Sequence, residues 1–396
     1  MVDPIRDKVA IVGVGVSRQG QLPEMEPYGI AAEALKAALD DAGLKKSDID
    51  GLSMRSLDPI GASWQNTGRA LGLDPKFGFT AAYGGASTSI AVQNAAMAVY
   101  HGLADVVAVL YATNSRTTRN RFGNPRYEHH APYGYFSPGA RAAMAFNRYM
   151  YEYGGLRGTS EEEIALFQRK LGAISVAARR HASLNPIAYH YEGGNAAPFT
   201  ADDYMQQRYI TWPLRRPDYT LISDGGGCLI VTSAERAKSM KNTPVNIMGM
   251  GQGHQLRSQE HPSFIMQRGA QEEMSGKQLW KNTGYGPKDM DAMYVYDSFS
   301  VLTLLAIENY GLVGPGEGLD FVQNGRTEFD GDFPVNTNGG HLAESYIGGI
   351  LHYVEAVRQL RGEGGARQIK KKLELLLACG EGSGGVDAGG LVLRKG

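Results

Sequence analysis

The sequence predicts an α/β protein built from a duplicated unit, and three observations predict it. Apolar strand-like runs alternate with amphipathic or small-residue helices, as layered α/β folds require. The run Val245–Gly251, VNIMGMG, restates the spacing of VAIVGVG near the N-terminus, and roughly 120 residues on each side follow the same order. The 52 glycines gather in short turns beside strands, where they permit close backbone approach, and not in linkers.

Lys8 to Val16 is a continuous Val/Ile-rich run, as expected of a strand buried on both faces. Its G-x-G-x-S lacks a third glycine at the right spacing and an immediate helix, so it is a weak dinucleotide signal. Tyr28 to Ala42 is an amphipathic helix with Ile30, Ala31, Ala34, Leu35 and Ala38 on one face, and Gly43 is its expected C-cap. Asp48–Asp50 leads into a short strand. Tyr83-Gly84-Gly85 precedes a helix over about Ala86–Tyr100 whose small residues indicate deep burial. Ala104–Thr113 is a buried strand.

Charge, tyrosine and proline rise after Arg116, and strand-like runs disappear until about Arg216. Glu161–His181 reads as one helix there and Tyr189–Phe199 as a polar loop. Residues 1–115 are therefore expected to form a first half and 116–216 an inserted cap. Residues 217–240 return a strand and helix to that half, and 241–396 form the second half. Within the second half, Asp291–Asp297, Leu373–Ala378 and Gly390–Arg394 read as strands. Phe299–Tyr310 and Gly348–Gly362 read as helices.

Composition excludes several classes. At 396 residues and 42% hydrophobic, the chain can bury large cores, and a net charge of -1 gives no reason to expect nucleic acid. No apolar run approaches the roughly 20 residues of a membrane span. The start, MVDPIRDKVAIVGVG, lacks a signal-peptide cleavage site, so a cytoplasmic enzyme is expected. Two cysteines, Cys228 and Cys379, provide neither a disulfide framework nor an all-cysteine zinc site.

Four turns are expected to enclose one site: Tyr83–Thr88, Tyr296-Asp297-Ser298-Phe299-Ser300, Asn336–Gly349 and Cys379–Gly385. Four tracts carry a family resemblance over essentially the whole chain. SDGGGCLIVTS resembles the S/N-D-G-A-A-A strand of the thiolase superfamily. NTNGGHLAESY resembles its N-x-x-G-G-x-x-x-x-G-H turn, and YDSFS its H-D-C-F-S or N-E-A-F-A turn. VRQLRGEGGARQ is similar to a tract of the sterol-carrier/lipid-transfer branch. The resemblance implies a thiolase fold, five layers α-β-α-β-α around two stacked five-stranded mixed sheets.

The departures from the family are chemical. The position of the nucleophilic cysteine is Gly85, and Ser87 and Thr88 are better read as packing residues. The family histidine is replaced by Tyr346 and the Asn or His of the second turn by Tyr296, while Cys379 is retained. This pattern resembles the lipid-transfer-type aldolases of steroid side-chain degradation, which implies retro-aldol cleavage of a β-hydroxyacyl-CoA without an acyl-enzyme. Tyr296 and Tyr346 are then the acid–base pair in either order, with Cys379 a candidate for protonating Cα. The backbones of Gly85 and Gly380 are candidate oxyanion donors. His341 and Asp297 are candidate substrate-contacting or loop-orienting residues. Arg215 and Arg216 could meet CoA phosphates or simply face solvent. A cysteine restored at Gly85 is expected to regain acyl-enzyme formation. The resemblance further implies a homodimer and a small OB-fold zinc-ribbon partner in a heterotetramer, no metal in this chain, and no tightly bound cofactor besides the CoA of the substrate. The competing readings are a thiolase-type enzyme that cleaves or condenses β-ketoacyl-CoA with Cys379 as nucleophile, and a non-catalytic acyl-CoA or lipid carrier.

Overall fold

The computed structural model describes residues 5–120, 137–154, 160–193, 197–255, 271–381 and 387–396. Part of the expected loop Tyr189–Phe199 and the glycine turn beyond Glu381 lie outside the described residues.

The first half runs β1 (Val9–Val16), α1 (Pro27–Ala42), β2 (Gly51–Arg55), α2 (Trp64–Leu71), β3 (Phe77–Ala81), α3 (Ser87–Tyr100) and β4 (Val106–Thr113). Helices α4 (Pro138–Tyr153), α5 (Glu161–Ser183) and α6 (Ala201–Met205) follow, with a short hairpin of β5 (Tyr209–Thr211) and β6 (Leu214–Arg215). Strand β7 (Gly225–Ser233) and helix α7 (Ala234–Ala237) lead into the second half. That half runs β8 (Val245–His254), α8 (Gln271–Thr283), β9 (Ala292–Val295), α9 (Ser300–Asn309), α10 (Gly318–Phe321), α11 (Gly340–Ala343), α12 (Ile350–Arg361), β10 (Leu375–Glu381) and β11 (Asp387–Lys395).

The strand order is β3-β2-β4-β7-β1-β8-β11-β10-β9. Reading outward from the β1–β8 seam, each half repeats the same pairings. β1 is antiparallel to β7, β7 to β4, and β4 is parallel to β2. Correspondingly, β8 is antiparallel to β11, β11 to β10, and β10 is parallel to β9. This mirrored order is the duplication that the two glycine-rich runs announced. The expectation of two separate five-stranded sheets changes in two details. The halves join through a short antiparallel contact at Ala10–Asn246 and Ile11–Val245. The counterpart of β3 is reduced to one parallel bridge, Met293 to Val335.

Three apolar clusters define the layers. One packs α1 and α2 on the outer face of the first half-sheet, through Val12, Ile30, Leu52 and Leu71. A second fills the space between the half-sheets: Ile11 and Val109 face Tyr294, Leu376 and Leu393 across Val92 of α3 and Val354 of α12. A third packs α4, α5, α8 and α9 on the outer face of the second half-sheet, through Phe146, Leu171, Leu279, Leu304 and Val392. Helices α3 and α12 are thus the buried central layer. The G-x-G glycines of β1 serve packing: a Cβ on Gly13 or Gly15 would overlap the backbone of α1 at Ala38. Their role is close strand–helix approach, with no need for a dinucleotide. Among the described residues, no helix is long and apolar enough to cross a membrane.

Two family tracts prove to be tertiary fasteners. Asp224, in SDGGG, accepts the N–H of Leu22 (2.8 Å), Arg116 (2.8 Å) and Thr117 (3.0 Å), which fixes where the chain leaves β4. Arg361 donates to Asp41 and to the Val12 carbonyl, each at 2.8 Å, and so ties the end of α12 to the first half. Asp224→Ala would strand several buried N–H groups. The expected loss is roughly 3 kcal/mol, read as a lower urea midpoint with an unchanged slope. An unchanged midpoint would show that the fastening is redundant.

Candidate active site

Two loops meet at the N-terminal ends of the central helices. Tyr296 follows β9 directly. The second loop starts at Asn336, whose left-handed backbone (φ 48°) turns its amide onto β9. Val295 N–H donates to Asn336 Oδ1 at 2.8 Å, and Asn336 Nδ2 donates to the Val295 carbonyl at 2.9 Å. The residue before Tyr296 is therefore clamped to the loop that ends at Tyr346. That loop is pinned again where Tyr346 N–H donates to the Leu221 carbonyl at 2.9 Å.

The result is a pair of buried phenols with their oxygens 2.8 Å apart. Tyr296 is 1% exposed and Tyr346 6%. Burial pushes the Tyr296 phenol well above its ordinary value, and the hydrogen bond with Tyr346 acts in the same direction. Arg55 opposes both. Its guanidinium lies over the Tyr111 ring (4.8 Å to the centroid), with Nη2 3.4 Å from Asp58 Oδ2, the same oxygen that accepts from Tyr111 Oη at 2.8 Å.

A histidine–carboxylate group backs the phenols. The His341 ring lies edge-on to both tyrosine rings, with centroids at 4.6 and 5.0 Å. Its Nε2 accepts the N–H of Gly349, the N-cap residue of α12, at 3.0 Å. A nitrogen that accepts carries no proton, so the neutral ring holds its proton on Nδ1, which faces Asp297 Oδ1 at 3.4 Å. Burial holds His341 well below its ordinary value, so the neutral form dominates. Asp297 Oδ1 also accepts the His341 N–H (2.8 Å) and faces His352 Nε2 at 2.9 Å. A side chain on Gly340 would overlap this carboxylate. Asp297, His341 and His352 could each offer one atom to a cation. Asp297 Oδ1 is engaged by the His341 N–H and His352, and His341 Nε2 by Gly349, while His341 Nδ1 is buried without a hydrogen-bond partner.

The structure sorts the expected site residues. Tyr296 and Tyr346 are in direct contact. Gly85 lies against Tyr296: a Cβ there would stand 2.5 Å from Tyr296 Cε1 and would overlap the Glu381 carbonyl. The tyrosine ring fills the volume that a side chain at residue 85 would need. Restoring a cysteine at Gly85 would therefore displace Tyr296, so the expected gain of acyl-enzyme is not a clean test. Gly380 is backed onto the same turn, with the Gly85 carbonyl 2.7 Å from where its Cβ would be. Asp297 and His341, expected as possible substrate contacts, are 1% and 0% exposed and form the layer behind the phenols.

Cys379 is not brought to the pair. Strand alternation turns its side chain to the outer face, into the cluster with Val295, Leu377 and Tyr310. Burial pushes its thiol far up, and the carboxyls of Glu272 and Glu381 add to this. Ser87 and Thr88 are structural: Ser87 Oγ accepts the Tyr83 N–H, and Thr88 Oγ1 donates to the Gly348 carbonyl, each at 2.8 Å. Arg215 is buried against the Gln207 carbonyl and Tyr209 Oη, while Arg216 is exposed. Sequence reading missed Arg55, Asp58, Tyr111 and His352. None of them sits in a motif, and only tertiary packing brings them to the phenols.

Comparison with known proteins shows the family. Residues 249–395 match the family model described as thiolase C-terminal domain-like. The chain is 36% identical to a 17-hydroxy-3-oxo-4-pregnene-20-carboxyl-CoA lyase of Mycobacterium tuberculosis, over 98% of this chain and 99% of that protein. It is 34% identical to a steroid side-chain-cleaving aldolase of Thermomonospora curvata, over 97% of each. Among solved structures it resembles an Ltp2-ChsH2(DUF35) aldolase, with a TM-score of 0.86 and 33% identity over 99% of this chain and 98% of that one. The chain belongs to the thiolase superfamily, in the branch that contains the steroid side-chain-cleaving aldolases.

Proposed function

We propose that this chain is a carbon–carbon lyase that cleaves a β-hydroxyacyl-CoA by retro-aldol reaction. One observation carries the reading: two buried phenols share a 2.8 Å hydrogen bond where the family keeps imidazole and amide, and a ring occupies the place of the nucleophile. Burial keeps the Tyr296 proton in place, which leaves Tyr346 as the base and Tyr296 as its hydrogen-bond donor.

The Tyr346 phenolate takes the proton of the β-hydroxyl. The freed oxygen electrons form the ketone C=O as Cα–Cβ breaks. The bonding pair moves into the thioester, giving an enolate. Tyr346 then returns its proton to Cα, so the hydroxyl proton ends on the shorter acyl-CoA and the atoms balance. Cys379, a neutral thiol on the other face of β10, is poorly placed for that step. The N-terminal ends of α3 and α12 favour the negative charge throughout, and Gly85 is our candidate for a backbone donor to the enolate. Acid–base groups of this chain suffice for this sequence, with CoA entering as part of the substrate.

The names of the full-length relatives support a steroid side-chain thioester with a tertiary hydroxyl, giving a ketone plus propionyl- or acetyl-CoA. The DUF35 component of the similar solved aldolase supports a small OB-fold zinc-ribbon partner. A homodimer of this chain with two such subunits is the assembly we propose. A thiolase reaction would require a nucleophile, and the sole candidate cysteine near the turns faces away from the phenols.

The test is cleavage of a steroid β-hydroxyacyl-CoA, with both products followed by mass spectrometry. Tyr346→Phe and Tyr296→Phe are each expected to lower kcat by about 10²–10⁴ with little change in substrate binding. Wild-type turnover in both would refute the assignment. Because burial raises the Tyr296 phenol, which shares its hydrogen bond with the base, kcat/KM is expected to rise with pH from neutral into the alkaline range. A profile that falls with increasing pH would contradict a phenolate base. Gly85→Ala is expected to displace Tyr296 and cut activity as severely as Tyr296→Phe. Full activity would show that the ring tolerates a side chain there.

A further inference from the structure

The mechanism above leaves Arg55 idle, and its surroundings are unusual. It ends β2, and its guanidinium is almost wholly enclosed, with 12% of the side chain exposed. A guanidinium has five N–H donors, yet among the described residues its one hydrogen bond is the 3.4 Å contact to Asp58, and Nη1 is buried without a partner. Buried charge left so poorly satisfied is costly, and such groups are retained where their charge has a task.

The task follows from the position. Nη1 lies 3.1 Å from where a Cβ on Gly348 would be, and the Tyr111 ring lies 2.6 Å from the same point. On the other flank, a Cβ on Gly349 would meet Tyr296 Cδ2 at 3.1 Å. Glycines 348 and 349 reduce the ribbon after Tyr346 to bare backbone, with the cation on one flank and a phenol on the other. The charge of Arg55 acts on Tyr346, Tyr296 and His341. The other groups facing the pair are Asp58 after β2, Tyr111 of β4, and His341, which is backed by Asp297 and His352. None of these is a second cation: His341 is neutral and Asp58 is shared with Tyr111.

We propose that Arg55 is the positioning residue that favours the singly ionised form of the Tyr296–Tyr346 pair, so that the base becomes available at a lower pH than burial alone would allow. The phenols lose one proton to solvent, the remaining proton bridges them, and the guanidinium balances the charge across Gly348. Asp58 tempers this by keeping part of the cation for itself. The inference rests on the phenol-pair reading, and its test separates the two.

The test uses the full chain, with its partner subunit where turnover requires it. In Arg55→Met the rising limb of the kcat/KM–pH profile is expected to move to higher pH by about one unit, lowering the rate at neutral pH about tenfold. Arg55→Lys restores much of it. Asp58→Asn, which keeps the cation and removes its carboxylate, moves the limb the other way and reports even where Arg55→Met fails to fold. Phenolate absorbance without substrate, taken as the difference between each protein and its Tyr346→Phe form, shifts in the same directions. That titration reads the coupling even where Tyr346→Phe cleaves normally and the cleavage reading fails. A uniform fall in rate with an unmoved limb and an unmoved phenolate titration would overturn the proposal and leave Arg55 a packing residue.

Discussion

The site depends on a steric exchange at the N-terminal end of α3. Residue 85 has no side chain, and the ring of Tyr296 stands in the vacated volume. A thiolase-like acyl-enzyme needs a nucleophile at this point, and a bulky ring needs its absence, so the two arrangements exclude each other. Once the ring is in place, the loop from Asn336 to Gly349 can lay Tyr346 against it. Asn336, Gly340 and Gly349 then become requirements of the new pair. A bare residue 85 and the contact between the two phenols are one steric arrangement.

Duplication explains why the pair forms where it does. The mirrored halves place the N-termini of α3 and α12 side by side in the middle layer, each fed by a glycine turn. In the first half β3 leads to Tyr83-Gly84-Gly85. In the second, the lone bridge at Val335 leads to the loop that ends in Gly348-Gly349. One turn supplies empty space and the other supplies Tyr346, and β9 adds Tyr296 between them. Gly85 ahead of α3 and Gly349 at the N-cap of α12 both abut the Tyr296 ring, and the Arg55 guanidinium lies against Gly348. Burial raises the cost of a phenolate at Tyr296, and the Arg55 charge opposes it.

The parts legible in the sequence were those with a local signature. Val9–Val16, the α1 face with its Gly43 cap, the small-residue helix α3 and the repeat at Val245 all carry periodicity or spacing that backbone physics fixes. The phenol positions were legible because they stand in turns whose glycines and order are specific. Other elements carried weaker signals. Strand β3 is only half-buried, and α2 is short with few apolar positions, so neither has a strong period. Direction was the harder problem. Cys379 lies one strand position from the Gly85 turn, and strand alternation alone decides that its thiol faces α8 and α9. Asp297 and His341 were open to two readings, substrate contact or loop orientation, and form a buried brace, as the second reading has it. Arg55 gave no signal at all, since its importance comes from Asp58, Tyr111 and a glycine almost three hundred residues away.

The central claim is cleavage by a phenol pair without a covalent intermediate. A single-turnover experiment addresses it directly: enzyme in excess over a steroid β-hydroxyacyl-CoA, quenched through the time course, with intact-protein mass and both small products recorded together. The account predicts that ketone and shorter acyl-CoA appear in step while the protein mass never changes. An acyl adduct that forms and decays at the rate of product release, above all one mapped to Cys379, would contradict it.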